Sequence, residues 1–129
     1  MDIRVGKMMA QEQKSLFECV RDGMAHLEAG RFDDAEQKFR THQPTDSYLI
    51  AHGLATTIFR RGMAHGDLTL CSMSIVLGLY EQAIAMQPNE PSPYMMAGMA
   101  YIKQASLYSQ RAKKEPEKVS PLVVITILN

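Results

Sequence analysis

The sequence has no tryptophan, its aromatic residues make up only 7% of 129 residues, and its formal net charge at pH 7 is zero. A nucleic acid or an anionic lipid surface needs a basic protein surface, so the charge balance argues against both as the main partner. The few aromatic side chains are not interleaved with basic ones, which also disfavours stacking on single-stranded bases. We therefore expect a partner other than nucleic acid.

Cysteine is also scarce. Cys19 and Cys71 stand in apolar contexts inside predicted helices, and neither has a CxxC partner or a nearby group of cysteines and histidines. Free cysteine is among the most buried residue types, and this spacing is not that of a disulfide framework or a zinc site. The sequence predicts two buried, reduced thiols and a reducing compartment.

Long apolar runs are missing as well. Residues 1–15, MDIRVGKMMAQEQKS, lack the apolar stretch of a secretory signal peptide. The longest apolar run, LVVITIL at 122–128, is far shorter than the ~20 residues that cross a bilayer. We expect a cytoplasmic protein with no membrane span.

Catalytic motifs are not found: the sequence has no GxSxG, P-loop, HExxH or glycine-rich phosphate loop. The nearest approach to a site is one helical face that carries Glu18, Asp22 and His26, with Cys19 beside it. Such a face offers a metal site or an acid–base pair. The alternative is a local hydrogen bond between Asp22 and His26, which we favour because a metal needs more ligands at fixed geometry. The sequence predicts no enzyme, no metal and no cofactor.

The sequence does contain apolar residues at helical spacing, and glycine and proline interrupt them. A first stripe runs through residues 10–29, and Gly30 ends that helix. The second helix has aspartates in its first turn, where they favour the helix dipole, and turns Phe32, Ala35 and Phe39 inward. The first stripe consists of Leu16, Phe17, Val20, Met24 and Leu27.

Three further helices are predicted. The third covers 47–63, with Thr45 or Asp46 as its N-cap, and the fourth covers 68–86, with Asp67 as its N-cap.

Proline separates the fourth helix from the fifth. Pro88 ends the fourth, and Pro91 opens the fifth, where its fixed φ and missing N–H are tolerated. Because glycine and proline are absent from 99–115, the fifth helix is expected to reach about Lys114. No segment before residues 116–129, an extended apolar tail, has the pattern of a strand. The predicted fold class is all-α, with about five helices.

Several residues recur at matching positions of these helices. Gly23, Met24 and Ala25 of the first align with Gly98, Met99 and Ala100 of the fifth. Other matches are Gly30, Phe32, Ala35 and Phe39 in a first unit, Tyr80, Ala83 and Pro88 in a second, and Tyr94 and Tyr101 in a third. The pattern resembles the tetratricopeptide repeat, a helix–turn–helix unit of 34 residues.

The resemblance implies a single helical-repeat domain, in which Gly23 and Gly98 mark close approaches between helices. Asp22 and His26 depart from the large apolar and aromatic residues usual at their positions, and the second unit is longer than is typical of the family. The expected parts are a flexible N-terminus (1–10), a first repeat (11–42), an elongated second repeat (45–90), a third half-repeat or capping helix (91–115) and the tail (116–129).

In tetratricopeptide proteins the first helix of each unit lines a concave groove, so the resemblance implies a protein-binding surface there. Ten methionines suit adaptable apolar binding. Members that clamp a C-terminal carboxylate use lysine, asparagine and arginine in the groove, so that mode is not expected here. The expected groove residues are Phe17, Val20, Met24, Leu27, Met95, Met99 and Ile102.

The leading hypothesis is a non-enzymatic module that holds a hydrophobic or amphipathic protein segment, as short tetratricopeptide chaperones of bacterial secretion systems do. The alternative is a structural scaffold subunit that self-associates through the groove and the tail. Residues 119–129, VSPLVVITILN, carry no charge and would be prone to aggregation if exposed. We expect this segment to be covered by the chain's own groove, by another copy or by a partner, and the sequence favours a copy or a partner.

Overall fold

The computed structural model of the chain describes residues 3–114. These residues form five α-helices and one 3-10 turn, Pro44–Asp46, and include no strand. The helices are α1 (Ile3–Glu28), α2 (Phe32–Phe39), α3 (Tyr48–His65), α4 (Leu70–Met86) and α5 (Pro91–Lys114). The all-α prediction is confirmed for this part of the chain, and the predicted tail, 116–129, lies outside the described residues.

The five helices form a two-layer array. Each helix contacts the next one along the chain, and α3 also contacts both α1 and α5. Within residues 3–114, no contact joins α1 to α5 or α2 to α4. The odd-numbered helices therefore make one layer with α3 at its centre, and α2 and α4 make the other.

α1 begins much earlier than predicted. It is helical from Ile3, so most of the segment expected as a flexible N-terminus, 1–10, is part of the helix. The residues before Gln11 are mainly good helix formers such as lysine, methionine and alanine, and none is proline. Gly6 alone does not stop the helix because a glycine in a helix interior costs only ~1 kcal/mol.

The start of α3 is capped by Ser47 rather than by Thr45 or Asp46. The Oγ atom of Ser47 accepts a hydrogen bond from the Leu49 N–H at 3.2 Å. Asp46 is engaged elsewhere, because its carboxylate accepts the N–H of Gln43 and closes the 3-10 turn.

The start of α4 is capped by Thr69, and the prediction of Asp67 is wrong. Thr69 and Ser72 cap each other, since the side chain of each accepts the backbone N–H of the other. The Asp67 N–H donates to the Gly62 carbonyl around the left-handed turn at Gly66, so Asp67 belongs to the end of α3.

The core lies between the two layers. Ala35 and Phe39 bring α2 into it, as predicted, and Phe32 packs against its edge. Tyr80 of α4 is fully buried, and its hydroxyl hydrogen-bonds the Thr56 hydroxyl of α3 at 2.8 Å. The largest fully buried side chains are Tyr80, Phe39, Ile50, Leu54, Met73 and Val76.

Glycine allows helices to approach closely at Gly23 but not at Gly98. A Cβ atom on Gly23 would lie 2.7 Å from the Phe39 ring, which confirms the first prediction. A Cβ atom on Gly98 would meet nothing within 4 Å, so the second prediction is wrong. Gly98 faces solvent because no helix of the described array packs on that side of α5. An unpredicted close approach occurs at Gly53, where a Cβ would lie 2.5 Å from the same Phe39 ring.

Candidate protein-binding surface

α3 lies between α1 and α5 and is exposed chiefly at its two ends. Leu49 in its first turn and Met63 in its last turn are 40% and 53% exposed. Thr56, which helical spacing puts between them on the same side of the helix, is 4% exposed and hydrogen-bonds Tyr80 of α4. We call the exposed side chains of α1, α3 and α5 together the odd-helix face.

α1 contributes Phe17 to the odd-helix face. Its side chain is 68% exposed although it is a large aromatic residue. Val20 and Met24 are partly buried and pack against the core. Leu27 is only 3% exposed and is itself a core residue, so it stabilises the helix contact and is not accessible to a ligand.

α5 presents its predicted residues on two sides. Met95 and Ile102 are 69% and 73% exposed, and helical spacing puts them opposite the side that faces the core. Met99, 55% exposed, lies between that outer side and Lys103. The side that faces the core carries Pro93, Ala97 and Ala100.

The Lys103 side of α5 faces α3. Lys103 and Leu107 line a cavity of about 330 Å³ together with Met63 and Gly66 from the end of α3. Met99 is therefore the member of the predicted α5 set that stands nearest to α3.

The predicted groove residues do not form one patch. α3 separates α1 from α5, which make no contact with each other. The set missed Leu49 and Met63, the exposed large apolar side chains at the two ends of α3. No periodic signal marks these two residues, because apolar and small residues surround α3 on nearly all sides and ten of its residues are buried.

A polar group borders the odd-helix face where α3, α4 and α5 meet. His52 Nε2 lies 3.1 Å from Ser92 Oγ, and the His52 ring packs edge-on against the Tyr80 ring at 5.6 Å. Burial, with a smaller effect from the positive charge of Arg60, lowers the pKa of His52 below its usual value. Burial also raises the pKa of Tyr80 to about 12, against a smaller opposite effect of the hydrogen bond with Thr56. The lowered pKa of His52 favours the neutral imidazole.

Ionic contacts tie α2 to α3 away from this face. Arg61 donates to Glu36 at 2.5 Å and to Asp33 at 3.1 Å, and Arg40 also donates to Glu36. Burial raises the pKa of Glu36, but the hydrogen bonds from Arg61 and Arg40 outweigh it, so the net pKa is lowered. These charges satisfy one another within the fold.

Glu18, Asp22 and His26 form neither the metal or acid–base site nor the Asp22–His26 hydrogen bond that the sequence offered as alternatives. Asp22 accepts hydrogen bonds from Arg21, and the His26 Nδ1 accepts one from the Nε of Arg31 at 2.9 Å. The local Asp22–His26 hydrogen bond is therefore replaced by two arginine contacts. Among residues 3–114, no three His, Cys, Asp or Glu side chains come together as metal ligands would.

The two cysteines differ in burial. Both are free thiols, and Cys19 is partly buried with its Sγ 3.1 Å from Thr41 Oγ1. Cys71 is exposed, so its predicted burial is wrong. Cys71 stands in the first turn of α4, where the side facing the core is taken by Met73 and Val76 instead.

Comparisons with protein-family models, with curated proteins and with solved structures found no match to this chain. Within the described chain, no helix combines the length and the apolar character needed to cross a bilayer.

Proposed function

We propose that this chain is a non-enzymatic protein-interaction module whose odd-helix face holds a hydrophobic or amphipathic protein segment. One observation carries the proposal: the exposed large apolar side chains concentrate on one layer. Among the described side chains, α4 exposes Ile75 and α2 exposes none, whereas the odd-numbered helices expose Phe17, Leu49, Met63, Tyr94, Met95, Met99, Tyr101 and Ile102. A hydrophobic or amphipathic segment would therefore find its apolar contacts on the odd-numbered helices and not on α2 or α4.

The chemistry of the odd-helix face suits an amphipathic segment. Phe17, Leu49 and Met63 offer apolar contact, and the flexible methionine adapts to more than one shape. Arg60, near the end of α3, is exposed, and Lys103 of α5 lines a cavity together with Met63. These cations would pair with acidic residues at the rim of a bound segment, which would set its orientation more than its affinity.

The tetratricopeptide resemblance is part of this proposal. Two antiparallel helix pairs followed by a single helix, in alternating layers, is the arrangement that such an array requires. The close approach at Gly23 stands where the repeat places a small residue. A small chaperone or adaptor in the cytoplasm fits this arrangement and the two free thiols.

A scaffold subunit that binds a copy of itself is the second candidate. It is favoured by Met95 and Ile102, which lie on the outer side of the last described helix. In that case the mass of the purified protein in solution would exceed that of one chain.

A photo-crosslinking amino acid tests the proposal. It is placed at Phe17 or Met63 on the odd-helix face and, as the control, at Ile75, an apolar residue of the other layer that is 50% exposed. We expect one protein to be captured from both odd-helix positions and not from Ile75.

Purified components then give the affinity. Phe17→Glu should weaken binding of that protein by about tenfold or more, since burying an unpaired charge costs more than ~1.4 kcal/mol. Ile75→Glu should leave the affinity unchanged. Equal capture from all three positions, or equal affinities of the two variants, would refute a binding site on the odd-helix face.

A further inference from the structure

Three exposed apolar side chains form a stripe along the outer half of α5. Met95, Met99 and Ile102 are spaced by four and three residues, so they follow one side of the helix. Each is more than half exposed. No residue between 3 and 114 covers this outer stripe, and large apolar side chains in water are unfavourable.

The same side of α5 turns polar after Ile102. Helical spacing continues the outer stripe through Ser106 to Lys113, in the last turn, which is basic. The outer side of α5 therefore has an apolar first half and a polar second half that ends at Lys113.

The sequence that follows α5 has the reverse order. Residues 115–121, EPEKVSP, hold two glutamates, one lysine and one large apolar residue, and residues 122–128, LVVITIL, are mostly apolar. A chain that turned back along α5 would therefore pass its polar part over the polar half of the helix. Its apolar part would then meet the outer stripe.

The lengths agree with this path. From Ile102 to Lys114 the helix rises by roughly 18 Å, and seven extended residues, 115–121, span about 23 Å. The apolar half, Pro91 to Ile102, is roughly 17 Å long, and the seven residues 122–128, if extended, would span about 23 Å. The chain after Lys114 is thus long enough to reach the outer stripe and to cover it.

We propose that residues 122–128 fold back onto the Met95–Met99–Ile102 stripe of the same chain. The sequence alone favoured a copy or a partner as the cover for this segment, but the reversed polarity and the matching lengths favour its own helix. A tethered segment also acts at an effective concentration near millimolar, which a second copy at ordinary protein concentration does not reach. This inference does not depend on partner binding by the odd-helix face.

Disulfide trapping in the full chain tests the proposal. In a background of Cys19→Ser and Cys71→Ser, the pair Ile102→Cys and Val123→Cys is oxidised at several protein concentrations. The control pair is Ile75→Cys with Val123→Cys, because Ile75 is similarly exposed on a helix outside the proposed path. We expect the Ile102 pair to form a disulfide within one chain about tenfold faster than the control, at a rate independent of protein concentration.

Two results would overturn the proposal. Equal rates for the two pairs would mean that the segment does not bind the stripe. Disulfides that link two chains, at a rate that rises with concentration, would assign the stripe to a second copy.

Hydrogen exchange gives a second readout, in which Ile102→Asp should increase the exchange of amides 122–128 and Ile75→Asp should not. Unchanged exchange in Ile102→Asp would also contradict the proposal.

Discussion

Gly23 on α1 and Gly53 on α3 face the same aromatic ring, that of Phe39 on α2. Cβ atoms at the two glycines would lie 2.7 Å and 2.5 Å from ring carbons. The ring is fully buried, so it has little freedom to move away. Three helices, α1, α2 and α3, therefore meet at this ring.

Adding one methyl group at either glycine should destabilise the protein. We expect Gly53→Ala and Gly23→Ala to lower the free energy of unfolding by ~1–3 kcal/mol, the usual cost of overpacking. Gly98→Ala is the matched control, because its added methyl meets nothing and alanine favours the helix by up to ~1 kcal/mol. Denaturant titration of the three variants measures the differences. A Gly53→Ala protein as stable as Gly98→Ala would contradict the packing around Phe39.

The buried hydrogen bond between Thr56 and Tyr80 gives a second prediction. Tyr80→Phe leaves the Thr56 hydroxyl without its 2.8 Å partner, and we expect a loss of ~1–3 kcal/mol in the free energy of unfolding. Thr56→Val should cost a similar amount. The double variant should cost less than the sum of the two, because it leaves neither hydroxyl unpaired. Strict additivity would mean that the two groups do not interact.

Stability should fall in mild acid because of His52. Burial lowers its pKa in the folded protein, so the unfolded chain binds the proton more readily. The stabilisation is complete above the unfolded value of about 6.5, and it is lost as the pH falls from there through the lower folded pKa.

Melting temperatures from pH 8 to pH 5 test this effect against His52→Gln, which can still hydrogen-bond Ser92 but does not titrate. Arg60 and Tyr80, the other ionisable groups at this site, remain in both proteins. The wild type should lose more stability than the variant over this range. Parallel curves would show that His52 does not contribute.

Partner binding should depend weakly on salt. Phe17, Leu49 and Met63 are apolar, and salt screens interactions between exposed charges far more than apolar contact. We expect the affinity for the partner captured at Phe17 to change by less than about threefold between low and moderate salt. A collapse of affinity over that range would instead place binding on the basic stretch 103–118.

Local signals predicted the helices well. Gly30, which adopts a left-handed φ of 76°, and the prolines at 88 and 91 stop or start helices through their own backbone geometry. The sequence therefore placed α2 and α5 correctly. The caps of α3 and α4 were misplaced because Asp46 and Asp67 are engaged with the turns before them.

Tertiary contacts were harder to predict. Gly23 and Gly98 align in the sequence pattern that predicted a repeat, yet only Gly23 has Phe39 packed on it. Which neighbour is present depends on the position of the helix in the array, and a local motif does not encode it. Leu49 and Met63 were missed for the same reason, since packing against the neighbouring helices buries the middle of α3 and leaves its two ends exposed.

The order of helix contacts also has a consequence for folding kinetics. Packing in residues 3–114 runs from each helix to its nearest neighbours along the chain, and the two ends meet only through α3. Contacts of short sequence separation close small loops, and helical proteins of this kind fold in microseconds to milliseconds. The α1–α2 pair and α5 stand at the two ends of this order, so they should exchange amide hydrogens faster than α3.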